Sequence, residues 1–136
     1  MDDRKLVQMA REILPNAYAP YSGYRVGAAL LTDDGRVFRG VNIENASSGL
    51  TICAERAAIA AAVTAGCRFF SLIAVVSEDE KGPVPCGACR QVLSEFCGGD
   101  LRVLVSGNEG KIRTFTLREL LPHPFVFHKE APPQEK

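Results

Sequence analysis

Apolar residues recur every three or four positions near the start of the chain, with polar residues between them. The apolar positions are Leu6, Val7, Ala10, Ile13 and Leu14. This spacing places them on one face of a helix. Asp2 or Asp3 can cap that helix at its start, and Pro15 ends it. The pattern therefore predicts an amphipathic first helix that packs against a core.

Five shorter runs have the length and composition of β-strands. They cover residues 24–31, 36–41, 69–76, 101–105 and 111–115. The first two flank Asp34-Gly35, a dipeptide that favours a tight hairpin. The third is apolar throughout, which is typical of a buried strand. The runs therefore predict a sheet that begins with an antiparallel hairpin.

Three further helices are predicted between and after these strands. Residues 52–65 carry Ala and Ile on nearly every face, so this helix is expected to be buried and to end at Gly66. Residues 87–97 form the next helix, and Thr116 caps a short one through Leu121. The order α-β-β-α-β-α-β-β-α favours an α/β fold in which a helix links parallel neighbouring strands by a right-handed crossover. Such sheets usually bind ligands beyond the carboxyl ends of their strands.

All of these elements fit one domain, residues 1–128, because the sequence shows neither an internal repeat nor a linker. A chain of 136 residues is long enough to bury one core without disulfides. Residues 129–136 are polar and rich in Pro, so they are expected to form a flexible tail.

The composition narrows the range of partners. Lys plus Arg and Asp plus Glu number 16 each, and this zero net charge argues against a nucleic-acid-binding surface. No window approaches the roughly 20 apolar residues of a membrane span, and no apolar run of a signal peptide follows the charged residues 1–5. Five cysteines, an odd number, do not fit a secreted disulfide framework. We therefore expect a cytoplasmic protein.

Two cysteine motifs carry the candidate chemistry. Cys53 is followed two residues later by Glu55, and Pro85 precedes Cys86 and Cys89, which have C-x-x-C spacing. Three thiols leave a tetrahedral zinc site open, whereas a structural zinc normally has four protein ligands. A carboxylate beside an open metal site is placed to move the protons of a water molecule. The motifs therefore predict a catalytic zinc site.

The spacing also predicts where these side chains lie. Residues two apart point to nearly opposite faces inside a helix, so Cys53 and Glu55 can share a site only at a helix start. Cys86 and Cys89 lie on one face of a first helical turn, and Pro85 suits the entry to that turn. Helix N-termini favour the negative charge of thiolates, and Arg56 can neutralise more of it.

The two motifs together resemble those of the zinc nucleoside and nucleobase deaminases. Within that class, the chain resembles the small homotetrameric cytidine deaminases. The supporting stretches are residues 21–31 (YSGYRVGAALL), 42–46 (NIENA), 51–56 (TICAER) and 85–93 (PCGACRQVL). Together they span most of the chain, and their order and separation are more specific than either cysteine motif alone.

The resemblance implies a fold and a reaction. The fold would be three-layer α/β/α with a mixed five-stranded sheet. The reaction would be hydrolysis of cytidine and deoxycytidine to uridine and deoxyuridine with release of ammonia, in pyrimidine salvage. One Zn²⁺ per chain would be held by Cys53, Cys86 and Cys89. Glu55 would be the catalytic proton shuttle, with Arg56 beside the metal ligands.

The resemblance also implies how a nucleoside is held. Asn42 and Glu44 would bind the ribose hydroxyls, and the backbone near Ala54 would bind the base edge. Tyr24, which stands where relatives often carry Phe, would form a wall of the base pocket. Phe125 would reach into the pocket of a neighbouring subunit, so that a homotetramer shares its sites.

Other interpretations stay open from the residues alone. The zinc could be structural in a binding module, or the same chemistry could act on a blasticidin-type substrate, a nucleotide or a polynucleotide. Asn42 and Glu44 could simply shape a loop, and the apolar run around Phe125 could be a flap on its own core. Cys67 and Cys97 are expected to be buried small side chains, and His123 and His128 to be solvated.

Overall fold

The structure is a computed structural model that describes residues 1–127; His128 and the predicted tail at 129–136 lie outside the described residues. Its helices are α1 (Asp3–Ile13), α2 (Ala54–Thr64), α3 (Gly87–Phe96) and α4 (Leu117–Leu120). Its strands are β1 (Val26–Thr32), β2 (Val37–Val41), β3 (Phe70–Ser77), β4 (Arg102–Ser106) and β5 (Ile112–Thr116). Every predicted helix and strand is present, with ends shifted by one or two residues.

The five strands form one mixed sheet with the order β2-β1-β3-β4-β5. β1 is antiparallel to both β2 and β3, and β4 is antiparallel to β5. β3 and β4 are parallel and are linked through α3, as the order of elements predicted. The carboxyl end of β3 therefore leads through a loop to the cysteines at the start of α3.

The helices pack against the sheet through two separate apolar clusters. α1 packs on one cluster through Leu6, Val7, Ala10 and Leu14, which confirms four of the five predicted positions; the fifth, Ile13, is half-buried outside the cluster. The second cluster contains Ala54, Ala58, Ile59 and Ala62 of α2 together with Leu93 of α3. The helices that begin at the cysteines thus share one core.

A glycine lets α2 approach the edge of the sheet. A Cβ atom at Gly40 of β2 would collide with the backbone of Ala54 and Ala58. Any larger residue there would push the first turn of α2 away from the sheet. Gly40 therefore helps to fix the helix start that carries Cys53 and Glu55.

The expectation that α2 is buried on nearly every face is wrong. Its buried residues are Ala54, Glu55, Ala58, Ile59 and Ala62. Ala60, Ala61 and Val63 are exposed, because α2 lies in an outer layer and only one face meets the sheet. The predicted end at Gly66 is confirmed by its φ of 92°, a left-handed conformation that favours glycine.

The last described helix begins as its sequence predicted. Thr116 and Glu119 form a reciprocal capping box at the start of α4. Within residues 1–127, no helix has the length and apolar character needed to cross a bilayer.

Candidate metal and substrate site

The three candidate metal ligands lie at the N-termini of two helices, as predicted. Cys53 is the N-cap residue of α2 and Cys86 that of α3, and neither side chain makes a capping hydrogen bond. Cys89 lies in the first turn of α3 and is fully buried. The positive end of each helix dipole therefore points toward the thiols.

Pro85 stands two residues before the first helical position, Gly87, because Cys86 is the N-cap. It is buried, and its carbonyl oxygen accepts a 2.7 Å hydrogen bond from Arg90 Nε. Arg90 Nη1 also donates to the carbonyl oxygen of Leu120, at 2.7 Å. Arg90 thus connects the turn before Cys86 to the end of α4.

The positions of the three sulfur atoms fit a tetrahedral zinc ion. Cys53 Sγ lies 3.8 Å from Cys86 Sγ, which lies 3.5 Å from Cys89 Sγ. All three sulfurs are within 4.8 Å of one another. Zn–S bonds of about 2.3 Å in a tetrahedron place two sulfurs roughly 3.8 Å apart. Among residues 1–127, no fourth His, Cys, Asp or Glu completes the group, so it can hold a metal and leave one position open.

Hydrogen bonds favour the thiolate form of Cys53. The pKa of Cys53 is lowered to about 5, mainly by a hydrogen bond from the Cys89 thiol and also by Arg56. The same hydrogen bond to Cys53, together with burial, raises the pKa of Cys89. Arg56 Nη2 lies 3.5 Å from Cys53 Sγ and 3.4 Å from the carbonyl oxygen of Thr51. Arg56 therefore lies where it can offset the negative charge of the thiolates.

Glu55 is the second residue of α2 and is 4% exposed. Burial is the main cause that raises its pKa to about 7, and the nearby charge of Cys53 acts in the same direction. A carboxyl group with a pKa near neutrality can accept a proton in one step and return it in another. Its environment thus suits a proton shuttle.

Cys53, Glu55 and Cys86 line a cleft with a volume of about 290 Å³. Its other lining residues are Ser22, Tyr24, Val26, Asn42, Glu44, Thr51, Ile52, Ala54, Pro83 and Val84. The volume is close to the lower end of the range for small-molecule sites, about 300–1,000 Å³. The structure therefore brings four predicted substrate-binding residues, Tyr24, Asn42, Glu44 and Ala54, to the thiols.

Asn42 and Glu44 also organise the backbone around the cleft. Asn42 is 8% exposed; its Oδ1 accepts from Val26 N at 2.9 Å and its Nδ2 donates to Tyr24 O at 2.8 Å. Glu44 Oε1 accepts from the backbone of Tyr21 and Ser22, and Oε2 accepts from the Ser22 hydroxyl. That hydroxyl is the main cause that lowers the pKa of Glu44. Loop shaping and ligand binding are thus compatible roles, since an amide and a carboxylate retain further bonding positions.

Phe125 does not line the cleft of its own chain. Its ring is 71% exposed, and Val126 and Phe127 beside it are exposed as well. Its carbonyl oxygen accepts a 3.0 Å hydrogen bond from Gln91 Nε2 of α3. The segment is therefore attached to α3 while its apolar side chains point away from the chain's own core.

Several residues near the cleft were not predicted from the sequence. Ser77, Asp79, Pro83 and Val84 belong to a stretch, 77–85, that was predicted only as a connecting loop, although Ser77 is the last residue of β3. Pro83 and Val84 line the cleft, and Ser77 accepts a hydrogen bond from the Tyr24 hydroxyl at 3.2 Å. None of these residue types forms a recognisable motif at this spacing.

The remaining cysteines and the described histidine lie outside the metal group. Cys67 is buried and accepts a contact from Arg36, and burial raises the pKa of Cys97 to about 12. His123 is exposed. These positions agree with the interpretations of Cys67 as an ordinary buried side chain and of His123 as a solvated one, whereas Cys97 is only half-buried.

Residues 1–105 match the family described as the cytidine and deoxycytidylate deaminase zinc-binding region. The chain is 49% identical over 126 residues to a cytidine deaminase of Halalkalibacterium halodurans, over 93% of this chain and 96% of the relative. It is 48% identical to a cytidine deaminase of Sporosarcina psychrophila, over 92% of each chain.

The fold comparison agrees with the sequence comparison. A crystal structure of cytidine deaminase from Burkholderia pseudomallei matches with a TM-score of 0.88 and 46% identity, over 92% of this chain and all 100% of that chain. The expected α/β fold with a mixed five-stranded sheet and the zinc cofactor are thereby confirmed. The chain therefore belongs to the cytidine and deoxycytidylate deaminase family of zinc-dependent hydrolases.

Proposed function

We propose that the protein hydrolyses cytidine and deoxycytidine to uridine and deoxyuridine, with release of ammonia. The observation that carries the proposal is a group of three thiols, two of which, Cys53 and Cys86, line one cleft together with the buried Glu55. The curated relatives named above support cytidine as the substrate. A role in pyrimidine salvage and a cytoplasmic location stay predictions.

The chain's own residues have distinct tasks in this reaction. Cys53, Cys86 and Cys89 would hold Zn²⁺, which when bound makes a water molecule acidic near neutral pH. Glu55 accepts a proton from that water and delivers it to N3 of the pyrimidine, so that C4 becomes more electrophilic. The oxygen of the water adds to C4, Glu55 carries the remaining proton of that oxygen to the amino group, and the C4–N bond breaks so that ammonia leaves and the C4 carbonyl forms. Water and cytidine thus give uridine and ammonia.

The cleft offers groups for each part of the nucleoside. Asn42 and Glu44 would bind the ribose hydroxyls with the bonding positions that their backbone contacts leave free. The backbone at Ala54 and at the Cys86 turn would bind the polar edge of the base, and the Tyr24 ring would lie beside it. A substrate panel of cytidine, deoxycytidine, CMP and short single-stranded DNA, followed by ultraviolet absorbance and ammonia release, tests this assignment. Absence of ammonia release from every compound would favour a structural role for the metal.

We further propose that four chains assemble and share their sites through Phe125. Two features support assembly: the exposed apolar segment Phe125, Val126 and Phe127, and the exposed small residues of α2. Apolar surface of this kind commonly marks a protein–protein interface. In a closed symmetric tetramer, each cleft would receive one Phe125 ring from a neighbour.

Phe125→Ala should raise KM for cytidine by at least about fivefold, because aromatic packing contributes on the order of 1 kcal/mol beyond burial. Zinc content should stay at the parent value, since Phe125 lies outside the metal group. Steady-state kinetics and metal analysis check both expectations. Val126→Ala is the matched control, because this neighbouring side chain is equally exposed but carries no ring.

The chain that supplies the Phe125 ring to each cleft can be identified directly. In a ligand-bound crystal, the Phe125 ring nearest the pyrimidine should belong to a chain other than the one whose thiols hold the zinc. A ring from the same chain, or a fully active monomer in sedimentation, would contradict the shared site.

Arg56→Ala should lower zinc affinity or turnover by about 10- to 100-fold, the usual cost of removing a partner of a metal ligand. Arg56→Gln should lose less, because Gln keeps an N–H donor for Cys53 or Thr51. The physical reason is the excess negative charge of three thiolates around one divalent cation. Zinc content and kcat of the two variants check this expectation; equality of both variants with the parent would leave Arg56 as an ordinary surface charge.

A further inference from the structure

A short relay of side chains connects two parts of the cleft lining that are distant in sequence. The Tyr24 hydroxyl donates to Ser77 Oγ at 3.2 Å, and Ser77 Oγ donates to Asp79 Oδ1. Asp79 Oδ1 also accepts from the backbone N–H of Gly82, at 3.2 Å. Because an ionised carboxylate only accepts hydrogen bonds, the direction of donation runs from Tyr24 to Asp79.

The relay joins the beginning of β1 to the loop after β3. Tyr24 lines the cleft two residues before β1, and Ser77 is the last residue of β3 and is fully buried. Asp79 lies in the loop that continues through Pro83 and Val84, both in the cleft lining, to Cys86. One end of the relay thus holds an aromatic ring of the cleft, and the other end holds the turn at Gly82, just before Pro83.

Hydrogen bonds from Asn108, two residues beyond β4, attach the same loop to the end of that strand. Asn108 N donates to Asp79 O at 2.7 Å, and Asn108 Nδ2 donates to Glu78 O at 2.8 Å. Gly82 has a φ of 85°, and a Cβ atom there would collide with the carbonyl group of Ser106. The base of the loop is therefore fixed on the side of β4, whereas the relay provides a connection toward β1.

A second connection toward β1 is weaker. Arg25 Nε donates to Glu78 Oε1 at 3.0 Å, and the two side chains are 37% and 49% exposed. Exposed ion pairs of this kind contribute little because solvent screens them. Ser77, in contrast, is fully buried. A hydrogen bond to a buried group is costly to leave unmade, so the relay is the stronger constraint.

We propose that Ser77 and Asp79 are positioning residues of the substrate cleft, acting through the Tyr24 hydroxyl. They hold the Tyr24 ring and the Gly82–Val84 turn at the separation that the pyrimidine nucleoside requires. Neither residue touches the metal group or Glu55 in this role. The inference rests on the proposed function for its substrate, and it adds two residues, Ser77 and Asp79, that act on binding rather than on proton transfer.

Tyr24→Phe removes the hydroxyl but keeps the ring, and Ser77→Ala removes the acceptor of that hydroxyl. Each variant should raise KM for cytidine by about 2- to 10-fold, the effect of one net hydrogen bond. The kcat of each should stay within about twofold of the parent, since Glu55 and the thiols are unchanged. The KM of the double variant should not exceed the higher of the two single-variant KM values, because both changes break the same contact.

Glu78→Gln is the matched control, because it removes the exposed ion pair with Arg25 from the same loop and should leave KM unchanged. If Ser77→Ala does not fold, Asp79→Ala takes its place in the comparison of KM values with Tyr24→Phe, because Asp79 is exposed. Unchanged KM in both single variants, effects that multiply in the double variant, or a loss of kcat with normal KM would each overturn the proposal.

The relay can be tested apart from the substrate. The free energy of unfolding by urea, measured on the zinc-loaded protein, should show the same non-additivity for Tyr24→Phe and Ser77→Ala. Additive effects would show that the two residues are not coupled. A parent protein that releases no ammonia from cytidine would contradict the proposed function alone, because the unfolding experiment uses no substrate.

Discussion

Glu55→Gln is expected to keep its zinc and its fold while losing at least about 10²- to 10⁴-fold in kcat, the contribution typical of general acid–base catalysis. Gln has nearly the same size as Glu but cannot accept and return a proton. The loss is expected to be large because the same carboxyl group serves more than one proton transfer. The buried setting that raises the pKa of Glu55 to about 7 suits it for both directions of transfer.

The measurement is kcat for cytidine, together with zinc content and urea unfolding of the same preparation. Glu95→Gln is the matched control, because Glu95 is an exposed carboxylate on α3. The control should behave as the parent does. A Glu55→Gln variant with near-parental kcat would remove Glu55 from the mechanism.

Cys86→Ala is expected to lose most of its zinc and, with it, nearly all activity. Only the thiols of Cys53 and Cys89 remain in this variant. Among residues 1–127, no other side chain of the group can take the place of Cys86. In the parent, zinc should also be released as the pH falls, because all three ligands must be thiolates to bind the metal. Metal analysis after dialysis, at neutral and acidic pH, gives both results.

Cys97→Ala supplies the control for this second experiment. Cys97 is half-buried and belongs to no metal group among residues 1–127. The Cys97→Ala variant should therefore retain one zinc per chain. If Cys86→Ala instead held a full complement of tightly bound zinc, the assignment of the ligands would be wrong.

The placement of the three candidate metal ligands was predictable because their geometry is local. Cys86 and Cys89 are three residues apart in one helical turn, and Cys53 needs only a helix that starts directly after it. The position of Pro85 was predicted less well: it directly precedes the N-cap, two residues before the first helical position. The two cysteine motifs lie together only because α2 and α3 cover the same face of the sheet.

The rest of the cleft depends on pairings that the sequence does not reveal. Ser77 meets Tyr24 because β1 lies antiparallel to β3, with Val26 opposite Ser77. Asn42 joins Val26 and Tyr24 through its side chain, a contact that follows from the β1–β2 hairpin. The exposed face of α2 was missed for another reason: a helix rich in alanine has apolar residues on every side and gives no periodic signal.

The helix starts at Cys53 and Cys86 have a consequence for the stability of the chain. An N-cap residue commonly accepts a hydrogen bond from the first turn, and losing that bond costs typically about 1 kcal/mol. Neither cysteine side chain makes such a bond. The metal would then serve as a common clamp for the two first turns, because one ion holds both N-cap side chains. Its removal would let α2 and α3 fray together at those ends, so that two segments separated by more than thirty positions would lose order as one cooperative unit.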